Sequence, residues 1–370
     1  MATIMKPAKL ILAIVLIIVQ GTFQGAFCQD KNKNEETINR ILVKMHQANS
    51  VLNYQGIMTT VLINNPFSEV SRYKIENYGN ILRKEEILTN GIDKEIDYDD
   101  GKNLWRFFPN KNVLFKETTK LNNPLNNKPN ELLDLVKKNY TIKILEEYKT
   151  NKRTGYKVVF KPKTNDRPQQ IFWIDSETGI PFKIEKYGLN NDLVSVSSFS
   201  TIDFQAPPTK ENLDLLVPPQ TEIAEVTEKF NLTLASAKNE MGEEISPPQF
   251  IPPGFSLKNI ILRSFVSEKT IQFFYTDGLS SFSVFQKPLN RANTAVNTPY
   301  GKMMVTEKAA VLRSSGTMNI MCIHSNQMST TVMGEIFKEA IVKVAESLNS
   351  NQHSLEPSTP FYSIKSGPSK

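Results

Sequence analysis

Apolar positions 38, 41, 42, 45, 48 and 52 fall at three- and four-residue spacings. That is one face of a 3.6-period helix. From Tyr54 to Phe204 the signal changes to short strand-like runs, at 57–63, 71–78, 81–88, 94–98, 103–108 and 113–118. Turn pairs such as Asn64-Asn65, Gly79-Asn80, Asn90-Gly91 and Asp100-Gly101 separate them. Pro129 and Asn130 open a short helix to residue 140. Strands resume at 141–148, 155–161, 169–175, 182–187 and 193–204. Residues 175–179 form a hairpin turn in which Gly179 supplies the positive φ. Regular short strands with turns between them predict an antiparallel sheet, curved or partly closed.

Pro207-Pro208 and Pro218-Pro219 mark a linker, followed by a segment at 222–238 that is read as a helix of less regular pattern. Pro247-Pro248 and Pro252-Pro253 introduce a second unit. Apolar runs at 271–275 and 280–286 flank Asp277-Gly278, a strong hairpin signal. Runs at 302–306, 309–312, 319–324 and 330–332 read as further strands. A last helix follows, its apolar face made by Ile336, Phe337, Ala340, Ile341, Val344, Ala345 and Leu348. The expected fold class is α+β: a curved antiparallel half-barrel covered by helices, then a smaller antiparallel sheet packed with a terminal helix. The expected divisions are a signal peptide at 1–28, the half-barrel at 35–205, a linker at 206–234, the small α+β domain at 235–350 and a disordered tail at 351–370.

The N-terminus sets the compartment. Lys6 and Lys9 precede an apolar run, 10–19, that is far short of the ~20 residues a spanning helix needs. A positive start, a short apolar run and small residues after it describe a cleavable secretory signal peptide, with Ala26-Phe27-Cys28 as the cleavage site. A lipidated Cys28 and an uncleaved anchor are the rival readings. Cleavage after Cys28 leaves Cys322 as the only cysteine and lowers the formal charge from +6 to +4. So weak a surplus does not indicate a nucleic-acid partner.

Motifs for chemistry are scarce. With two cysteines and three histidines, a disulfide scaffold and a Cys/His zinc cluster are excluded by counting. Residues 97–101 (DYDDG) resemble part of a calcium loop, but the glycine sits one place early and Phe108 stands where the closing glutamate belongs; the reading is a polar turn. Cys322 and His324 share one strand face, without an evident third group to orient them. His46 reads as a surface residue. There is no phosphate loop, nucleophile elbow or HExxH. Residues 149–153 (KTNKR) form a basic hairpin tip. The expectation is a protein without enzymatic activity, cofactor or metal.

Aromatics recur along the first unit. Trp105 and Phe107 share a face, whereas Phe172 and Trp173 do not. If no second sheet fills the hollow of a curved sheet, the first helix covers it, or an apolar guest does. The candidate lipid-binding face is Leu42, Met45, Tyr54, Trp105, Phe107, Phe172 and Trp173. The alternative is that these aromatics are plain core.

Several segments together resemble the RseB/MucB family of sigma-E regulatory proteins. Leu42-x-x-Met45, Ala48 and Leu52-x-Tyr54-x-Gly56 are similar to the family's opening helix and first strand, and Arg83-x-Glu85 and the strand 105–109 to its continuation. Residues 172–181, of the form FWIDxxTGxP, resemble its strand–turn–strand. In the second unit, residues 252–255 (PPGF) and 275–285 (YTDGLSSFSVF) resemble family motifs, as do 332–335 (VMGE) and 344–347 (VAES). Residues 119–170 depart from the pattern, so the partner interface is not carried over.

The resemblance implies a LolA/LolB-like half-barrel followed by a small α+β domain, in the periplasm. It also implies binding to the periplasmic segment of a membrane-anchored anti-sigma factor, relieved by lipid or a lipoprotein acyl chain. A homo-oligomer is compatible with this reading. The rivals are a periplasmic lipoprotein or lipid carrier of the LolA type, and a structural envelope module with a filled core.

Overall fold

The computed structural model describes residues 34–348, apart from 49–50, 65–66, 80, 89–94, 119–128, 150–152, 206–208, 210–214, 216, 243–244, 266–267, 290–294, 299–300, 305–310 and 325–327. The proposed signal peptide and C-terminal tail lie outside the described residues. No helix among the described residues is long and apolar enough to cross a membrane.

The first helix, α1, covers 34–48. Six strands follow: β1 (Asn53–Asn64), β2 (Phe67–Tyr78), β3 (Ile81–Leu88), β4 (Ile96–Asp99), β5 (Leu104–Phe108) and β6 (Val113–Thr118). Each pairs antiparallel with the next, as the turn residues between them require. Helix α2 (Pro129–Asn139) leads into β7 (Tyr140–Lys149), β8 (Thr154–Pro162), β9 (Gln169–Asp175), β10 (Pro181–Tyr187) and β11 (Leu193–Asp203). This second meander joins the first because β11 pairs with β1. The result is one open antiparallel sheet, ordered β7-β8-β9-β10-β11-β1-β2-β3-β4-β5-β6, curved into a half-barrel with α1 and α2 on its inner side.

The expected helix at 222–238 is corrected. Residues Glu222–Lys229 are strand β12, and helix α3 covers Leu234–Met241. In EIAEVTEK the residues alternate between exposed and half-buried, a period of two. Two partners distant in sequence hold it extended: β6 in parallel and β13 (Ser256–Phe265) antiparallel. Local pattern cannot report such pairing. Thr233 caps α3, its Oγ1 accepting the Ser236 N–H at 3.1 Å.

The second sheet runs β13, β14 (Glu268–Thr276), β15 (Ser281–Pro288), β20 (Met328–Gly334), β19 (Met318–His324) and β18 (Val311–Ser315), all antiparallel. A separate two-stranded excursion joins β16 (Ala295–Thr298) and β17 (Gly301–Met304). Helix α4 (Lys338–Ser347) lays Ala340, Ile341, Val344 and Ala345 on this sheet, over Phe273, Tyr275, Val284, Met321, Ile323 and Val332. The Tyr275 and Phe282 rings stack at 4.7 Å. A single strand path therefore runs from β7 to β18 through both domains, and β12 is its bridge.

Candidate ligand trough and interdomain seam

Helix α1 lies on the inner side of the half-barrel because its apolar stripe meets three neighbouring strands. Ile41 and Leu42 are buried against Val158, Phe160, Phe172 and Ile174 of β8 and β9, together with Val136 of α2. Ala48, about two turns on, belongs to a different cluster with Tyr54, Ile75 and Ile180. A third cluster, Ile96, Phe107 and Leu114 on β4–β6, stands apart; Trp105 packs on it, as do Leu215 and Val217 of the interdomain segment.

The β9–β10 turn pins the helix. Lys44 Nζ donates to the carbonyls of Ser176 and Glu177, at 2.8 and 3.1 Å. Gly179, at φ +77°, lets the turn approach; a Cβ there would lie 2.7 Å from the Lys44 backbone. Asp175 shapes the turn by accepting the N–H groups of Glu177 and Thr178, at 3.1 and 2.7 Å, and Arg153 binds its other oxygen at 3.0 Å. Burial raises the Asp175 pKa, but the bonds from Thr178 and Arg153 outweigh it, and the net shift is downward.

The seven candidate lipid-facing residues are distributed over these clusters. Leu42, Met45 and Phe172 come together between α1 and β9. Trp105 and Phe107 sit together on β5, and Tyr54 is in the middle cluster, edge-on to Phe199 at 6.2 Å. Trp173 points to the opposite side of β9, its ring between Lys157 Nζ at 5.0 Å and Lys183 Nζ at 4.4 Å. Strand pairing carries the Tyr54 face to Leu82, Asp97 and Arg106, so Trp105 and Phe107, whose partners are Tyr98 and Ile96, lie on the opposite face together with Trp173. This corrects the candidate face to four residues on the inner side, Leu42, Met45, Tyr54 and Phe172, and three on the outer.

The other candidate groups take up local roles. Asp100 accepts the backbone N–H groups of Lys102 and Asn103 and the Trp105 indole N–H at 3.1 Å, so the 97–101 segment is a turn closed on its own carboxylate. The Cys322 sulfur has Thr331 Oγ1 as its neighbour at 3.3 Å, and burial raises the thiol pKa. Burial, helped by Lys287, lowers that of His324. In the basic tip, 150–152 lie outside the described residues; Arg153 turns inward to Asp175 and the Phe204 ring. No group of three His, Cys, Asp or Glu residues that could hold a metal occurs among the described residues.

The sequence did not mark the seam between the domains as a site, yet it holds a dense network of buried polar groups among the described residues. Asp277, in the β14–β15 turn, is fully buried, and so is Arg167 of the β8–β9 connection, which is ion-paired to it. Tyr140 Oη donates to Asp277 Oδ2 at 2.6 Å. Burial, then the Asp277 charge, raises the Tyr140 pKa. Asn139 Nδ2 donates to the carbonyls of Asp277 and Gly254, at 2.8 and 3.0 Å. Arg167 also donates to Pro253 O and lies 4.2 Å from the Phe255 ring centre.

Two further contacts flank this network. Gly316 N donates to Asn64 Oδ1 at 2.7 Å, and the Phe337 N–H to Asp166 O at 2.8 Å, beside a Lys186–Glu335 pair. The Asp-Gly turn signal marks Asp277 as part of a hairpin and says nothing of its burial. Arg167 lies in the stretch that departs from the family pattern, and nothing local in the sequence links the two.

An open half-barrel with helices inside it, bridged to a second sheet by one strand, defines a two-domain class of fold. Residues 37–217 match the family model of the MucB/RseB N-terminal domain. This first domain therefore belongs to the MucB/RseB family. Its fold is similar to the Pseudomonas aeruginosa MucA/MucB complex structure at 16% identity and a TM-score of 0.52, covering 83% of this chain and 96% of that one. A crystal structure of MucB aligns at 15% identity and a TM-score of 0.51, covering 85% of this chain and 97% of that one. Both alignments therefore run through both domains. No curated protein sequence matches the chain.

Proposed function

We propose that this protein is a periplasmic, non-enzymatic regulatory binding protein. It holds the periplasmic segment of a membrane-anchored anti-sigma factor and releases it when lipidic envelope material occupies the half-barrel, modulating a sigma-E-type stress response. The observation that carries this reading is family membership of the first domain, joined to a fold alignment that spans both domains of a MucB solved with MucA(peri). Export through a cleaved signal peptide belongs to the same proposal.

The physical basis is a sheet whose inner apolar residues fall into two clusters rather than one continuous core, the third cluster lying on the outer face. An acyl chain entering between them would gain ~0.8 kcal/mol for each methylene removed from water. Occupancy changes partner affinity only if the guest favours the partner-free state. The test is recovery of an anti-sigma periplasmic segment on the immobilised protein, with and without lipopolysaccharide or lipopeptide. The proposal expects recovery without lipid and loss with it. Equal recovery removes the sensing half, and no recovery in either removes the regulatory half. Transfer of a labelled lipoprotein between membranes, with no segment bound, would instead support a LolA-type carrier.

A further inference from the structure

The β14–β15 turn belongs to the second domain by sequence and to the first by packing. Leu279 packs into the cluster formed by α1, α2 and β7–β9. Gly278, at φ +102°, lies against α2, where a Cβ would come 2.9 Å from Val136 Cγ2 and 3.1 Å from Val136 N. The Asp277 carboxylate and carbonyl hold Tyr140 and Asn139, the two residues that end α2 and begin β7. The Asp277 side chain is itself fixed by the N–H groups of Leu279 and Ser280, at 2.9 and 2.7 Å, and by Arg167. Three attachments, one steric and two polar, thus converge on the last turn of a single helix that lies over β7–β9.

We propose that this turn is a latch: the second domain fixes the position of α2, and releasing the latch eases entry of an apolar guest into the first domain. The inference rests on the reading of the half-barrel as an acyl-chain trough, and it adds the element that controls access. The Val136 and Leu133 side chains cover the same cluster that holds Leu42 and Phe172. Displacing α2 uncovers that part of the cluster while α1 stays pinned through Lys44. The work of moving α2 includes breaking the Tyr140 and Asn139 bonds, so the latch lowers the fraction of molecules open to the guest, and apparent affinity falls with that fraction.

The test uses the full chain in two variants. Tyr140→Phe removes one hydroxyl and keeps the ring in the cluster. Gly278→Ala, with no change in the first domain, drives a methyl into Val136. Each is measured by hydrogen exchange of the α2 amides and by titration with a fluorescent palmitate analogue. The latch predicts faster α2 exchange in both and probe binding tighter by about three-fold or more. Unchanged α2 exchange overturns it, as does faster exchange with unchanged or weaker probe binding. If the unaltered protein binds no probe, the trough reading fails instead; the exchange arm then judges the attachment of α2 to the turn by itself, without regard to lipid.

Discussion

The two sheets bury their apolar faces in contrasting ways. The second folds against α3 and α4 around one continuous cluster, in which Ile271, Phe273, Tyr275, Val284, Val332, Ile336, Ile341 and Val344 are fully buried. The first is larger and bent, and its buried residues divide into three groups, each resting on a different part of the sheet. A helix contributes one stripe about a third of its circumference wide, enough to cover a few strands and not eleven. The second domain is thus a close-packed module. The first is a sheet covered piecemeal, on its inner face by α1, by α2 and by the second domain's own turn, and on its outer face by the interdomain segment at Leu215 and Val217. The proposed guest site suits the piecemeal architecture of the first domain, where a guest can replace one cover without collapsing a core.

The largest effect should fall where the two architectures meet. Arg167→Ala leaves the Asp277 carboxylate buried without its cation, and loss of one partner of such a pair costs about 3–5 kcal/mol. Urea unfolding should show that loss. A change under about 1 kcal/mol would mean that the seam is open to water and that the domains are loosely joined.

Next, the cores themselves should respond unequally. Ile341→Ala removes a fully buried side chain from the continuous cluster and should cost about 3 kcal/mol. Met45→Ala trims a half-buried side chain beside Leu42 and should cost about 1 kcal/mol, because its site is only partly withdrawn from water. Equal losses would erase the contrast between a filled core and a piecemeal one.

The smallest effect is at the bridge strand. Burial, and next to it the Glu117 charge, raises the Glu228 pKa, against the opposing pull of Arg263. A raised carboxyl favours the folded state fully below its unfolded value and progressively less as pH rises through its folded one. Glu228→Gln should therefore unfold at higher urea than the unaltered protein near about pH 7, with the gap narrowing near about pH 4. A gap that widens on acidification would reverse the sign of the shift.

Much of this fold was legible in local pattern. Asp-Gly and Asn-Gly pairs place hairpins because their φ requirements are local. The outward direction of Trp173 follows from simple alternation with Phe172. The bridge strand was not legible: Glu222–Lys229 mixes helix formers with a period of two, and what decides it is the pairing with β6 and β13. The seam was hidden for the same reason. Asp277 announces a turn, but its burial depends on Arg167, which lies 110 residues away in the chain. The candidate residues were legible as apolar, but which of them share the inner face depends on the registers that link β1 to β5 through β2, β3 and β4, and no local pattern reports those.

The central claim is that the inner side of the half-barrel receives an acyl chain. Photocrosslinking with a diazirine-bearing fatty acid, followed by mapping of the labelled peptides, tests it most directly. The account predicts label on α1 around Met45, on β1 at Tyr54 and on β9 at Phe172. Label confined to the outer face, at Trp105, Phe107 or Trp173, or to the second domain, or an absence of label at saturating probe, would contradict it.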